Sequence, residues 1–255
     1  MTEREAAGSA SATVPALPGL SVIVPAFNEE RYILRTLDGL AASARVVERS
    51  GVGVEVIVVD DRSTDATAAL AQGLVDRVVH GPGATIGAAR NAGAEVASGR
   101  TLVFVDADTW VEPEVLPAIH AAAAGDGVVA GSIRATYTSS QPSVRLLLRF
   151  WDWYAPRHDI TQGVCQFFDR QVFEAVGGYR LDLRMAEDTE LYHRVQRRCG
   201  AGTVRRISDA AVHPSMRRYD QVSPWRLWWQ MNPITTRWLR RSERLWRDWY
   251  VDPPR

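Results

Sequence analysis

Val54-Glu55-Val56-Ile57-Val58-Val59-Asp60-Asp61-Arg62-Ser63-Thr64-Asp65 sets a β-branched run directly before two carboxylates and a polar turn. A short, nearly continuous apolar run bounded by turn residues is the pattern of a strand buried on both faces. Ala66 to Val75 continues as a helix behind Asp65. The same unit occurs on either side. Upstream, Ser21 to Pro25 is a β-branched run, and Glu29 to Ala41 places Ile33, Leu34, Leu37, Leu40 and Ala41 at helical spacing. Downstream, Ile86 to Ala97 is an Ala-rich helix closed by Gly99, and Thr101 to Val105 is a third strand ending in Asp106. Alternating strands and helices predict an α/β fold, Rossmann-like, with a mostly parallel sheet flanked by helices. Beyond Val128 the pattern loosens: Gly127 to Ile133, Val164 to Phe168 and Val204 to Val212 read as strands and Asp188 to Arg198 as a helix. No internal repeat is visible.

The chain has 255 residues, 46% of them hydrophobic, which suits one medium domain with appendages. The expected division is a flexible arm over 1–19, a domain over 20–215 and a helical C-terminal extension over 216–255. Net charge is zero, so no global attraction points to nucleic acid as a partner. All 30 cations are arginine, a planar donor suited to phosphate, although genome composition accounts for the bias as readily. Cys165 and Cys199 show no paired spacing and read as free thiols in a reducing compartment. Residues 1–19 lack a cationic start followed by an apolar core, so they do not read as an export signal. The stretch from Ala118 to Ile133 is interrupted by His120 and Asp126 and falls short of the ~20 apolar residues a bilayer span needs. The expected location is cytoplasmic, with peripheral contact at the inner face of the membrane as one reading of the C-terminal segment. There, six of the nine tryptophans lie between Trp225 and Trp249, and nine Arg stand against four acids from Arg217 onward. Trp238, Leu245, Trp246 and Trp249 recur at helical spacing opposite Arg240, Arg244 and Arg247, which predicts an amphipathic helix. It would dock on a bilayer, pack onto the domain or pair two copies.

The carboxyl ends of the strands carry the polar groups, and ligands of open α/β sheets bind there. Asp106-Ala107-Asp108 offers two carboxylates at a strand end, followed by Thr109 and the helix-starting pair Glu112-Pro113; alone it is as consistent with a solvated turn. Glu187-Asp188 precedes a helical run, with Gly177-Gly178-Tyr179-Arg180 just upstream, so Asp188, taken alone, reads as a helix cap. Asn28 and Asp65 also suit caps, and Arg90-Asn91 a helix surface.

In combination these elements narrow the reading. Pro25-Ala26-Phe27-Asn28-Glu29-Glu30, Val59-Asp60-Asp61-Arg62-Ser63-Thr64-Asp65, Arg90-Asn91-Ala92-Gly93, Asp106-Ala107-Asp108 and Glu187-Asp188 occur in the order seen in family 2 glycosyltransferases, which the chain resembles from about Ser21 to His213. The resemblance implies a GT-A fold and inverting transfer from a UDP- or GDP-sugar to a sugar, lipid-linked or small-molecule acceptor. It implies that Pro25, Phe27, Asn28, Glu29, Asp60 and Asp61 hold the nucleoside, that Asp106 with Ala107 meets the ribose, and that Asp108 holds Mn²⁺ or Mg²⁺. Oxygen ligands and a diphosphate suit such hard cations. Arg90, with Asn91, would contact the diphosphate or lie on a helix surface. Asp188, beside Glu187, would be the catalytic base, since an alcohol is a poor nucleophile unless its proton is taken as it attacks. His213 either completes the metal shell with Asp106 and Asp108 or is structural. Trp151, Trp153, Tyr154 and Gly163 are candidate acceptor contacts, with core packing as the alternative. Processive members carry Q-x-x-R-W, whereas Arg218-Tyr219 here lacks an aligned Gln, so single addition is expected. Two competing readings remain: a nucleotidyltransferase, which normally opens on a Gly-rich phosphate loop absent after Pro25, and a non-catalytic nucleotide-sugar-binding membrane scaffold.

Overall fold

A computed structural model describes residues 19–158, 161, 163–217, 223–231 and 241–242. The expected arm, apart from Gly19, and the helix around Trp238 to Trp249, apart from Arg241 and Ser242, lie outside the described residues.

In chain order the elements are β1 Leu20–Ala26, α1 Ile33–Glu48, β2 Val54–Asp60, α2 Thr67–Ala71, β3 Arg77–His80, α3 Ile86–Val96, β4 Thr101–Val105 and β5 Thr109–Val111. There follow α4 Val115–Ala123, β6 Ala130–Ala135, α5 Pro142–Tyr154, β7 Cys165–Asp169, α6 Arg170–Ala175, α7 Glu187–Cys199, β8 Val204–Pro214 and α8 Pro224–Met231. The strands form one sheet ordered β3-β2-β1-β4-β7-β6-β8-β5. Strands β3, β2, β1 and β4 run parallel, as the strand–helix alternation predicts. The sheet is more mixed than the sequence suggests, because β7 enters antiparallel between β4 and β6, and β5 pairs antiparallel with β8.

The central strands are buried on both faces, which explains their near-continuous apolar sequence. Side chains alternate between faces along a strand. Val22, Val24, Val58, Val103 and Val105 therefore pack with Ile33, Leu37 and Leu40 of α1 and Leu116 and Ile119 of α4. Ile23, Ile57, Val59, Leu102 and Phe104 meet Ala89 and Ala94 of α3, Phe173 of α6 and Leu191 and Val195 of α7. Gly93 lets α3 lie close on the sheet, for a Cβ there would stand 2.4 Å from Ile23 Cγ2.

At the amino end of the central strands, Glu55 Oε1 accepts hydrogen bonds from Ser21 Oγ at 2.5 Å, the Ser98 amide at 2.5 Å, Ser98 Oγ at 2.7 Å and the Gly99 amide at 3.1 Å. One carboxylate thus ties β1, β2 and the entry to β4 together. Burial opposes its ionisation, but the hydrogen bonds from Ser21, Ser98 and Gly99 outweigh it and hold the group below the usual carboxylate range.

Order β2-β1-β4 makes the carboxyl ends of β1 and β4 a topological switch point, where consecutive crossovers leave in opposite directions and open a crevice. Cys165 and Cys199 are both free thiols, the first buried in β7. Among the described residues, no helix is long and apolar enough to cross a membrane.

Candidate active site

The loops leaving β1 and β2 are stitched together before any ligand is considered. Asn28 adopts φ 55°, a left-handed conformation Asn tolerates better than most residues. Its amide donates to Ser63 Oγ at 3.0 Å and its Oδ1 accepts from the Thr64 amide at 2.8 Å. The Glu29 amide donates to Thr67 Oγ1 at 2.7 Å. The turn from Glu29 to Tyr32 delays the helix, so α1 begins at Ile33 rather than Glu29. Asp60 Oδ1 accepts from the Ser63 amide at 3.3 Å, and Asp61 Oδ1 accepts from the Gly83 amide at 2.6 Å. Burial pushes the Asp61 carboxyl up, with Asp60 adding to the shift. Phe27, Asn28, Glu29 and Asp61 therefore lie on two interlocked loops at the crevice, with Pro25 and Asp60 in the last residues of the strands that enter them.

Asp106 and Asp108 follow the end of β4, in the turn that leads to β5. Between them Ala107 is buried, and its carbonyl accepts from Thr36 Oγ1 of α1 at 2.7 Å, which fixes the loop against the helix. Arg90 of α3 is only 2% exposed. One terminal nitrogen donates to Asp106 Oδ1 at 2.8 Å and to the Gly163 carbonyl at 3.3 Å; the other donates to Glu187 Oε1 at 2.8 Å. Its guanidinium also stands 5.2 Å from the centre of the Tyr179 ring. Arg90 is thus an internal brace and not a helix-surface patch, and both its amino groups are already paired with carboxylates. Asn91 is equally inward. Its side-chain amide donates to the Tyr179 carbonyl and accepts from the Tyr179 amide, both at 2.9 Å, locking the turn at Gly177-Gly178 onto α3.

That turn leads to Glu187-Asp188. Helix α7 starts at Glu187 behind Ala186, which is left-handed and makes no side-chain cap, so Asp188 sits inside the first turn and is not the cap. Asp188 Oδ1 accepts from the Thr189 amide at 2.7 Å. Burial pushes its carboxyl up to about 7, and the adjacent Glu187 charge adds to the shift, while Arg90 pulls the other way. Gly163 explains itself here: a Cβ would stand 2.4 Å from Asp188 Oδ2. Glu187 and Asp106, 81 residues apart in sequence, share one guanidinium.

The third group surrounds Asp108. A cleft of about 380 Å³ is lined by Tyr32, Arg35, Asp108, Trp110, His213 and Met216, among others. His213 of β8 pairs with Trp110 of β5, with ring centres 4.9 Å apart. Its Nε2 lies 2.8 Å from Glu112 Oε1, and this hydrogen bond, together with the Ala211 amide, holds the Glu112 carboxyl below the usual range. Sequence reading missed Glu112 as an acid of the site, although Asp108, Trp110 and Glu112 alternate along one strand edge. It also missed Arg217, whose guanidinium is ion-paired with Glu29, lies 3.4 Å from Asp108 Oδ2 and stands 4.6 Å from the centre of the Tyr32 ring. The described residues contain no cluster of three or more His, Cys, Asp or Glu close enough to hold a metal by themselves.

The aromatic candidates lie on α5. Phe150 stacks on Tyr154 at 5.4 Å, Tyr154 on His158 at 4.0 Å, and Arg157 covers the Trp153 ring at 4.7 Å. Trp151 meets Tyr154 edge-on at 5.5 Å.

The strand order, with carboxylates at or just after the carboxyl ends of β1, β2 and β4 and at the start of α7, is that of the GT-A fold. A model of glycosyl transferase family 2 matches residues 21–179, and the chain belongs to that family. The probable glycosyltransferase YdaM of Bacillus subtilis is 27% identical over 255 residues, covering 89% of this chain and 56% of YdaM. The putative glycosyltransferase EpsH of the same organism is 32% identical over 102 residues, covering 38% of this chain and 28% of EpsH. The match thus spans less than two thirds of either relative. Among solved structures, the mannosyltransferase PcManGT of Pyrobaculum calidifontis, in complex with GDP-Man and Mn²⁺, aligns with a TM-score of 0.60 at 23% identity, over 83% of this chain and 60% of that one. S. aureus TarS 1-349, in complex with UDP-GlcNAc, aligns with a TM-score of 0.59 at 22% identity, over 76% of this chain and 57% of that one. Likeness at this identity establishes the shared fold.

Proposed function

We propose that the chain transfers a glycosyl group from a nucleoside diphosphate sugar to an acceptor hydroxyl in a single inverting addition. The observation that supports this reading is Arg90, which holds Asp106, taken as the donor-side carboxylate, and Glu187, taken as the acceptor-side one, on one guanidinium and so brings the Glu187-Asp188 pair to Asp106. The interlocked loops at Asn28 to Glu29 and Asp60 to Asp61 hold the nucleoside, and Asp106 the ribose. The acceptor oxygen attacks the anomeric carbon, its proton passes to the Asp188 carboxylate, and the bond to the diphosphate breaks on the opposite face. Glu187 sustains the Arg90 brace and, by its charge, keeps Asp188 a stronger base than an ordinary aspartate.

The donor set suits a divalent cation. Asp108 and His213 line one cleft, the His213 ring is oriented through a carboxylate as ligating histidines commonly are, and a cationic guanidinium already rests against Asp108. One or two protein ligands suffice for Mg²⁺ or Mn²⁺ when phosphates supply the rest. Asp108 and His213 would hold it, while Asp106, already paired with Arg90, stays outside the cleft lining, and the cation would supply charge neutralisation for the departing diphosphate. The GDP-Man, UDP-GlcNAc and Mn²⁺ named in the complexes of structurally similar proteins support this choice of donor and cation.

Incubation with a panel of UDP- and GDP-sugars and Mn²⁺ is expected to release nucleoside diphosphate and raise the melting temperature for one donor. Release of pyrophosphate from a nucleoside triphosphate and a sugar phosphate would support nucleotidyl transfer instead, and binding without turnover of any donor or acceptor would support a scaffold.

We further propose peripheral contact with an anionic bilayer. Trp225 and Trp229 of α8 are 83% and 45% exposed, and Leu146, Phe150 and Trp153 of α5 are 70%, 44% and 54% exposed, with Arg145 and Arg149 alongside. Tryptophan favours the headgroup region and arginine attracts anionic lipid. The full chain is expected to float with vesicles rich in phosphatidylglycerol and not with phosphatidylcholine alone, and Phe150→Ser with Trp153→Ser to weaken flotation. Equal flotation of the double variant, or a dimer that buries these residues, would sink the proposal.

A further inference from the structure

Arg217 sits where a metal-dependent transferase needs its own positive charge. Its side chain is 6% exposed, and it neutralises two carboxylates from separate motifs, Glu29 after β1 and Asp108 after β4, while lying over Tyr32. The arrangement has two consequences. A cation bound to Asp108 would meet a guanidinium already at 3.4 Å from that carboxylate, and two positive charges at such range repel. Moreover, the buried Arg217 Nε–H has no hydrogen-bond partner among the described residues, so the guanidinium is not fully satisfied where it stands and would gain a partner by moving to an anionic oxygen. Phosphate oxygens are favoured partners for that planar fork.

The geometry points to Arg217 as an exchangeable counter-ion: with no donor bound it stands in for the cation at Asp108, and with donor bound it passes to the diphosphate, so that cation and nucleotide enter together. The inference rests on the reading that Asp108 holds the cation. Before the donor arrives, Arg217 satisfies Asp108 and Glu29 and disfavours a free cation. The diphosphate offers Arg217 new acceptors, and Asp108 is released to the cation. Linkage then requires each ligand to raise the affinity for the other by the same factor.

The test is Mn²⁺ binding followed by the electron paramagnetic resonance of the free ion, with and without UDP, so that activity is not the readout. Arg217→Gln is expected to bind Mn²⁺ alone about tenfold more tightly than the natural chain, and UDP in saturating Mn²⁺ about tenfold more weakly. Arg217→Lys, which keeps the charge, should bind Mn²⁺ alone as the natural chain does. Unchanged or weaker binding of Mn²⁺ alone by Arg217→Gln would overturn the counter-ion role. Should that variant fail to fold, the natural chain decides: a dissociation constant for Mn²⁺ alone of about 10 μM or tighter overturns it, since the site would then be open without nucleotide. Asp108→Asn separates the two readings, because undiminished Mn²⁺ binding by that variant would refute the cation site itself and not the behaviour of Arg217.

Discussion

Asp188→Asn is expected to lower kcat for transfer by about 10²–10⁴-fold, the range that removal of a positioned general base produces. Donor affinity should change little, since the amide keeps the shape of the side chain against Gly163, where a Cβ would have only 2.4 Å to Asp188 Oδ2. Stability should move in the opposite direction. A carboxyl raised to about 7 in the folded protein, from 3.8, binds a proton there that the unfolded chain releases. Its contribution to stability is therefore full below the lower value and is lost as pH rises toward the higher one. An asparagine mimics the protonated form, so the variant should melt higher than the natural chain at pH 8. The same shift fixes the pH profile: kcat/KM should climb with pH and level off above about 7 as Asp188 ionises. Full transfer by the Asn variant, or a profile flat between pH 5 and about 8, would refute the assignment.

Arg90→Ala is expected to be the most damaging substitution in the protein. It strands Asp106 and Glu187, which the guanidinium now joins at 2.8 Å each, and breaking a buried ion pair from one side costs about 3–5 kcal/mol. Urea unfolding measures this directly. Arg90→Lys should recover only part of the loss, because an ammonium is a point charge and cannot span two carboxylates and the Gly163 carbonyl as a fork does. If Lys restored both stability and kcat in full, a generic positive charge would suffice and the bracing role would be wrong.

The parts visible in the sequence were those with short-range causes. Strands β1, β2 and β4 are β-branched runs because both faces are buried, and their acids announce the carboxyl ends. Strand β3 escaped notice because Arg77-Val78-Val79-His80 lies at the sheet edge with exposed ends, leaving too few apolar positions to register. Strand β5 is three residues long. Helix α5 shows in the sequence only as an aromatic cluster, since its apolar residues face both inward, at Val144 and Leu148, and outward, at Leu146 and Phe150. The site divides in the same way. Order and type of the acidic motifs were legible, whereas their partners were not: Arg217 meets Glu29 across 188 positions and His213 meets Glu112 across 101. Such contacts depend on strand order, and nothing local in the chain dictates that β8 lies between β6 and β5. Arg90 and Asn91 stand out in the sequence as a motif but not as interior groups, because charged residues seldom enter a core unless paired.

The Glu55 clasp has a consequence for how acid acts on this molecule. Its carboxylate holds three strands from the edge remote from the crevice, and its hydrogen bonds keep it ionised below the usual range. If Asp188 is the base as proposed, moderate acidification would protonate it while the clasp stays ionised. Neutralising Glu55 needs more acid than an ordinary glutamate does, and the stability that its ionised form provides is lost there.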